Sequence, residues 1–276
     1  MHLRSLLFVA LAAGIGLASA QTPTPAPAAK PAALSDNLPT PDAPAPAVSK
    51  AWLLMDYATG QVLAGENIDT PVEPASITKV LTSYVIAAEM KAGKVKADDQ
   101  VMMSENAWRK GGAGTDGSYS GFPVNQSAPL LEMEKGMVVQ SGNDAAIALA
   151  EHVAGSEQAF AQLMNAYAKK IGMTKSHFVN PHGLTAEGHV TTARDLAILG
   201  RALIREFPEA YSYNKIKELT VGPITQPNRN LLLWRAKENT YVDPEANNFG
   251  NGNVQGFDFS GSPTLRSYGA NIRVTF

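Results

Sequence analysis

The stretch that most restricts the fold begins at Ser76. Beyond it, Ile77, Val80, Leu81, Tyr84, Val85 and Ala88 recur at i, i+3, i+4, i+7, i+8 and i+11. That is the spacing of one face of an α-helix. It predicts a helix over residues 76–91 whose apolar stripe must be buried against other elements. Two polar residues stand at its head in the words "EPASITKV". Ser76 and Lys79, three apart, share a helix face. A serine hydroxyl is a weak nucleophile until a neighbouring base takes its proton. A lysine can be that base only if burial or a nearby cation lowers its pKa. The plain alternative is a serine that caps the helix and a lysine in solvent.

The flanking text supplies partners for such a helix. "AWLLMD" (51–56) and "QVLAG" (61–65) flank "YATG", a strand–turn–strand pattern. Residues 111–127 are rich in Gly and Ser and read as a loop. "NDAAIALAEHVAG" (143–155) reads as a helix that stops at glycine. Ser156 is placed to cap a further helix, "EQAFAQLMNAYAKKIG". Thr192, three residues before Asp195, gives "TTARDLAILGRALIREFP" a capping-box-like start, with a stop at Pro208. In "QSGNDAA", Ser141 and Asn143 sit at the mouth of the 143–155 helix. Asn143 can accept from an ammonium and donate to a carbonyl, and Ser141 can relay a proton. The plain reading of both is a capping segment. No period of 20–50 residues repeats, which excludes a solenoid.

Composition narrows the function classes. The 276 residues are 45% hydrophobic, enough for a real core. A formal charge of −2 gives no electrostatic reason to expect nucleic acid as a partner. With no cysteine, neither a disulfide framework nor a thiolate metal site can form. His177, His182 and His189 lack a zinc-ligand spacing, so no metal is expected, and His152 reads as a packing or surface residue. Trp52, Trp108 and Trp234 read as core; Tyr119 and Phe122 either line a cleft or pack the loop that carries them. Arg4, the apolar residues 6–18 and "ASA" at 18–20 have the form of a secretory signal, so 1–20 is expected to be removed on export. Residues 21–48 follow as a linker, with eight prolines before residue 48.

Taken together, "EPASITKVLTSYV" and "MVVQSGNDAAIALAEHVAGSE" resemble the serine D-alanyl-D-alanine carboxypeptidases, the low-molecular-mass penicillin-binding proteins. So do "AWLLMDYATGQVL", "SENAWRKGG", "GMTKSHFVNPHGL", "TTARDLAILGRALIREFP" and "ELTVGPITQPNRNLLLW". Ser-x-x-Lys with a Ser-x-Asn element is a signature of that superfamily. The resemblance covers residues 49–235. It implies a mixed α/β (α+β) fold of the penicillin-recognising serine-enzyme kind, a helical cluster on an antiparallel sheet. It implies Ser76 as the acylated nucleophile, Lys79 as its base, Ser141 as a proton-transfer assistant and Asn143 as the residue that holds the substrate amide. The implied substrates are peptidoglycan stem peptides ending in D-Ala-D-Ala, with β-lactams as covalent inhibitors, no cofactor, and a periplasmic location. Two rivals stand beside this reading. One is a β-lactamase-like hydrolase, for which no deacylating Glu motif is found; the other is a non-catalytic peptidoglycan- or β-lactam-binding remnant.

The resemblance breaks near Arg235. No Lys-Thr-Gly or Lys-Ser-Gly, the family's third element, occurs anywhere in the sequence. Poor peptide turnover and an incomplete sheet are therefore expected. No amphipathic C-terminal membrane anchor is visible. Residues 236–276 form an atypical tail rich in Gly and Asn, expected to be poorly ordered. At its end Tyr268, Ala270, Ile272, Val274 and Phe276 alternate with polar residues. That pattern resembles the closing strand of an outer-membrane TonB-dependent receptor barrel joined to a truncated enzyme. Its plain alternative is a last strand that pairs in the carboxypeptidase sheet.

Overall fold

A computed structural model of the chain describes residues 49–234 and 271–275. The expected signal peptide, the linker and most of the tail lie outside the described residues. At the centre is helix α1 (Thr78–Lys91). Four helices surround it: α3 (Leu130–Gln140), α4 (Asn143–Ala154), α5 (Glu157–Ile171) and α6 (Ala193–Glu206). Leu81, Val85 and Ile86 of α1 are fully buried with Met133 and Met137, Ile147 and Leu149, Phe160 and Met164, and Leu196 and Leu199. Each such side chain contributes roughly 1.5–3 kcal/mol on leaving water.

The chain enters through the expected hairpin, β1 (Trp52–Asp56) and β2 (Val62–Glu66). Asp56 Oδ1 accepts from the backbone and hydroxyl of Thr59, which closes the turn at Gly60 (φ +78°). Leu53 and Met55 pack one face of this sheet onto Ala193 and Ala197 of α6. The sheet's third strand, numbered β7 in chain order (Asn271–Thr275), runs antiparallel to β1 with Trp52 opposite Thr275. The described part of the terminal alternation, Asn271–Thr275, therefore pairs with β1 in this sheet, the plainer of the two expectations for it. Against α3 and α4 lie β3 (Gln100–Met102), paired with β4 (Ser127–Pro129), and the short helix α2 (Glu105–Gly111). After α6 come α7 (Pro208–Ser212) and the hairpin β5 (Glu218–Val221)–β6 (Ile224–Pro227). The expected caps are in place: Ser156 Oγ accepts from Ala159 N, and Thr192 Oγ1 accepts from Asp195 N. Pro208 both ends α6 and opens α7, as a proline at a first helical turn allows.

Two expectations need correction. The helix begins at Thr78, and Ser76 lies in a separate 3-10 turn, Ala75–Ile77, where it caps nothing. The turn is set by Ala75, whose φ of +46° lies in the left-handed region. Trp234 is 45% exposed, while Trp52 is buried as expected.

The larger finding is that α1 buries its polar face as well as its apolar stripe. Thr78, Lys79, Thr82, Ser83 and Glu89 are all buried. Each has partners, as burial of polar groups demands. Thr82 Oγ1 donates to Pro181 O at 2.7 Å, and Thr78 Oγ1 lies 2.8 Å from His189 Nε2. His189 Nδ1 accepts from Val179 N, so its proton sits on Nε2 and points at Thr78. Burial drives this imidazole's pKa down to about 4, which keeps it neutral. These bonds seat the 180–189 loop on the head of α1. Gly183 makes that approach possible: at φ +91°, an added Cβ would stand 1.7 Å from Ala75 O. On the far side Ser83 Oγ donates to Glu134 Oε1 at 2.6 Å, and Glu134 is fully buried with Oε2 unpaired among the described residues. Burial, opposed by the Ser83 bond and reinforced by Glu209, raises this carboxyl to about 7.

Two outcomes follow from this packing. Because Glu134's folded pKa exceeds its unfolded value, the folded state binds more protons between about 4.5 and 7, and stability falls as pH rises through that window. Glu134→Gln mimics the protonated acid. It should raise stability on the order of 2 kcal/mol at pH 8 and little at pH 4.5, measured by urea unfolding; an equal effect at both pH values would contradict the assignment. Gly183→Ala should destabilise the fold by more than the roughly 1–2 kcal/mol of a left-handed alanine alone. Gly188→Ala (φ +78°, nearest contact 3.8 Å) supplies that reference cost. Equal melting shifts for the two variants would show that the Ala75 contact is unimportant.

Candidate active site

Ser76, Lys79 and Asn143, separated in sequence, meet where the head of α1 faces the start of α4. Lys79 is only 5% exposed. Its Nζ lies 3.1 Å from Ser76 Oγ, 2.7 Å from Asn143 Oδ1 and 2.7 Å from His182 O. An ammonium has three N–H donors, and these three oxygens take all of them. Deprotonation replaces one donor by a lone pair. Asn143 Oδ1 and the His182 carbonyl can only accept, so neither can face that lone pair without repulsion. The Ser76 hydroxyl can donate, and it makes the longest of the three contacts. The neutral amine is thereby aimed at the serine proton.

The electrostatics favour that neutral form. Burial drives Lys79 from the ordinary lysine value down to about 7; the Asp144 carboxylate opposes the shift and the Arg229 guanidinium adds to it. Asp144, also buried, is raised by burial, while bonds from Ser120 N, Ser120 Oγ and Ala145 N at 2.8 Å each pull it the other way. Those bonds tie the glycine-rich loop to the start of α4. Asn143 N donates to Ser118 O at 2.8 Å, and a Cβ on Gly117 would come 2.4 Å from Asn143 Nδ2. Arg229 Nη1 in turn donates to Ser118 Oγ at 2.5 Å. The loop is thus stitched to the site from both sides.

Ser141 also reaches the site region, in an unexpected conformation. It ends α3 in the left-handed region (φ 59°, ψ 35°), its N–H donating to Gly136 O. Its Oγ is buried without a partner among the described residues. Ser141, expected to assist proton transfer, thus lies two residues before Asn143 with its hydroxyl buried. A non-glycine residue held at positive φ costs on the order of 1–3 kcal/mol, and such residues cluster at functional sites, though Asn67 and Asn125 adopt it here outside the site as well. Ala75, directly before Ser76, is a second such residue at the site.

Other candidates fall out differently. His182 contributes its main-chain oxygen to Lys79, a role no side-chain motif could disclose. Asp144 and Arg229 lie in segments that carry the family likeness, and Ser118 in the glycine-rich loop; none of the three stands out as a site residue from its sequence context. Of the loop aromatics, Phe122 packs on α3, where a Cβ on Gly136 would meet its ring at 2.8 Å, and Tyr119 is exposed. His152 is partly buried, with Nε2 3.5 Å from Asp99 Oδ2. Among the described residues no three His, Asp or Glu side chains cluster as metal ligands, and no helix is long and apolar enough to cross a membrane.

Known proteins share this arrangement of elements. The chain is 50% identical over 198 residues to the D-alanyl-D-alanine carboxypeptidase DacC of Escherichia coli, covering 71% of this chain and 49% of that protein. It is 45% identical over 187 residues to DacA of the same organism, covering 67% and 46%. The chain thus spans about half the length of the curated relatives it matches. Among solved structures, penicillin binding protein 6B from E. coli superposes with a TM-score of 0.71 at 33% identity, covering 88% of this chain and 75% of that one. Penicillin binding protein 5 from Haemophilus influenzae gives 0.64 at 39% identity, covering 67% and 54%. The fold is therefore the mixed α/β fold of the penicillin-binding DD-peptidases. The sequence profile of the family described as peptidase S11, D-alanyl-D-alanine carboxypeptidase, matches residues 39–243, entering the proline-rich segment and running past Arg235. With three quarters of its length under that profile, the chain belongs to the peptidase S11 family.

Proposed function

We propose that the chain is a serine-type D-Ala-D-Ala carboxypeptidase that works through an acyl-enzyme on Ser76. The observation that carries this reading is the placement of Lys79 Nζ, whose one partner able to give up a proton is the Ser76 hydroxyl. In the reaction, Ser76 Oγ attacks the carbonyl carbon of the penultimate D-Ala while its proton passes to Lys79 Nζ. The Ser76 backbone N–H is the proposed donor to the developing oxyanion. The C–N bond then breaks, and the terminal D-Ala leaves as an amine carrying a proton relayed from Lys79 through Ser141. Water attacks the remaining ester with Lys79 again as base, which releases the shortened peptide and restores Ser76. Asn143 holds the substrate amide through Nδ2, its Oδ1 being taken by Lys79. A β-lactam meets the same attack at its ring amide and leaves an acylated serine.

Names of relatives support D-Ala-D-Ala as the cleaved unit and penicillins as ligands; the proposed substrates that carry that unit are peptidoglycan stem peptides. The proposal includes export to the periplasm, supported by Arg4, the apolar residues 6–18 and the small residues at 18–20. It also takes the sequence beyond Arg235 to be a join to receptor-type sequence, supported by the missing Lys-Thr-Gly, with Asn271–Thr275 paired to β1 all the same. On this view hydrolysis of D-Ala-D-Ala peptides by the chain is slow, well under the roughly 1 per second of ordinary enzymes, while acylation survives.

Fluorescent penicillin followed by mass spectrometry should place the label on Ser76, and Ser76→Ala should take none. Label on Ser141 would overturn the assignment. The base is the neutral amine, so the labelling rate should climb about tenfold per pH unit below about 7 and level off above it. A rate that is flat from pH 5 to pH 8 would contradict Lys79 as base.

A further inference from the structure

Glu157 opens α5 and sits outside the reacting groups, yet its carboxylate is mostly buried. Oε2 lies 3.4 Å from His182 Nε2, and Oε1 accepts from Lys110 Nζ at 2.7 Å and from Asn106 Nδ2 at 3.5 Å. The His182 ring has a defined tautomer. Its Nδ1 accepts from Leu184 N at 3.1 Å, so the neutral ring carries its proton on Nε2, the atom that faces Glu157. His182 is therefore held at four points: by Glu157 through its ring edge, by Leu184 through the other ring nitrogen, by Asn180 Oδ1 through its backbone N–H, and by Lys79 through its carbonyl. The segment around it is fixed as well, since Asn180 Oδ1 accepts from Gly183 N and Thr82 holds Pro181 O.

The charges are consistent with a device that orients without titrating. The His182 bond and the Lys110 ammonium hold the Glu157 carboxylate down to about 2, so it stays ionised. Burial, together with the nearby Lys79 and Lys110 charges, keeps His182 below the ordinary imidazole value against the pull of Glu157. A neutral His182 adds no cation beside Lys79.

We infer that Glu157, steadied by Lys110, is a positioning residue for the nucleophile's base: it fixes the His182 ring, and so aims the His182 carbonyl at Lys79 Nζ. It touches neither Ser76 nor the substrate site. Without it the ring loses its outer partner, the carbonyl drifts, and Lys79 is free to turn away from Ser76. The inference rests on the proposed role of Ser76 and Lys79.

The test is the kinetics of acylation by fluorescent penicillin in the full chain, resolved into the rate at saturation and the concentration giving half that rate. Misplacement of a reacting group lowers the rate at saturation, and Glu157→Ala should do so about 10- to 100-fold, with the half-saturating concentration within about twofold of wild type. Glu157→Gln keeps an acceptor oxygen for His182 Nε2–H and should recover a large part of that loss. Lys110→Met, remote from the fold's core, should give a smaller fall in the same rate. That variant decides the matter if Glu157→Ala fails to fold. A purely structural role would reduce the fraction of protein that takes label and leave the saturating rate of the remainder untouched, and that result overturns the inference. Wild-type rates in both Glu157→Ala and Lys110→Met overturn it too. Failure of the wild-type chain to label at Ser76 would instead overturn the site assignment, and this inference with it.

Discussion

Everything near the site depends on one buried cation with three oxygens around it. Lys79 is enclosed by a serine hydroxyl, an amide oxygen and a main-chain carbonyl, drawn from the 3-10 turn, from α4 and from the 180–189 loop. Burying a lone ammonium would cost several kcal/mol. Satisfying every N–H limits that cost, and what remains lowers the pKa toward neutrality. The same geometry that makes the burial tolerable decides which partner meets the lone pair. Binding, proton affinity and direction of proton transfer are therefore set by one arrangement.

That arrangement explains why α1 is packed on its polar side. Thr78 and Thr82 tether the 180–189 loop, Gly183 lets it lie against Ala75 O, and Ser83 takes Glu134 as a partner. Several of these features work against stability when taken alone: left-handed Ala75 and Ser141, an unpaired Ser141 hydroxyl, and a fully buried carboxyl. Ala75 lies in the turn that carries Ser76, Ser141 links α3 to α4, and Glu134 lies on α3; backbone strain and unpaired polar groups can be held there by the dense core that α3, α4, α5 and α6 form around α1.

Much of this was legible in the residues. The periodicity after Ile77 located α1, the Thr192 and Ser156 caps located two further helix starts, and the terminal alternation marked a strand whose described part, Asn271–Thr275, does pair. Spacing brought Ser76 beside Lys79, and family likeness added Asn143. What sequence could not disclose was of two kinds. Short elements such as α2, β3 and β4 carry too few residues for a period to emerge and exist because the core orders them. Main-chain contributions leave no side-chain trace. The His182 imidazole invites a metal-ligand reading, whereas its carbonyl is the atom that meets Lys79. The apolar stripe of α1 also gave no hint that the opposite face is buried, because Thr, Ser and Lys read as solvent-facing until their partners are known. Trp234 failed in the reverse direction, a large apolar residue that the fold leaves exposed.

Lys79, held by three oxygens, is proposed as a base that titrates in the neutral range. Nuclear magnetic resonance of chain labelled at the lysine side chains reads its protonation directly, with Lys79→Arg used to assign the signal. The account predicts one lysine titrating near pH 7 while surface lysines titrate near the usual value of about 10.4. Its titration should also shift when Asn143, an acceptor of the ammonium, is replaced by alanine. A Lys79 signal that titrates with the surface lysines would contradict the account.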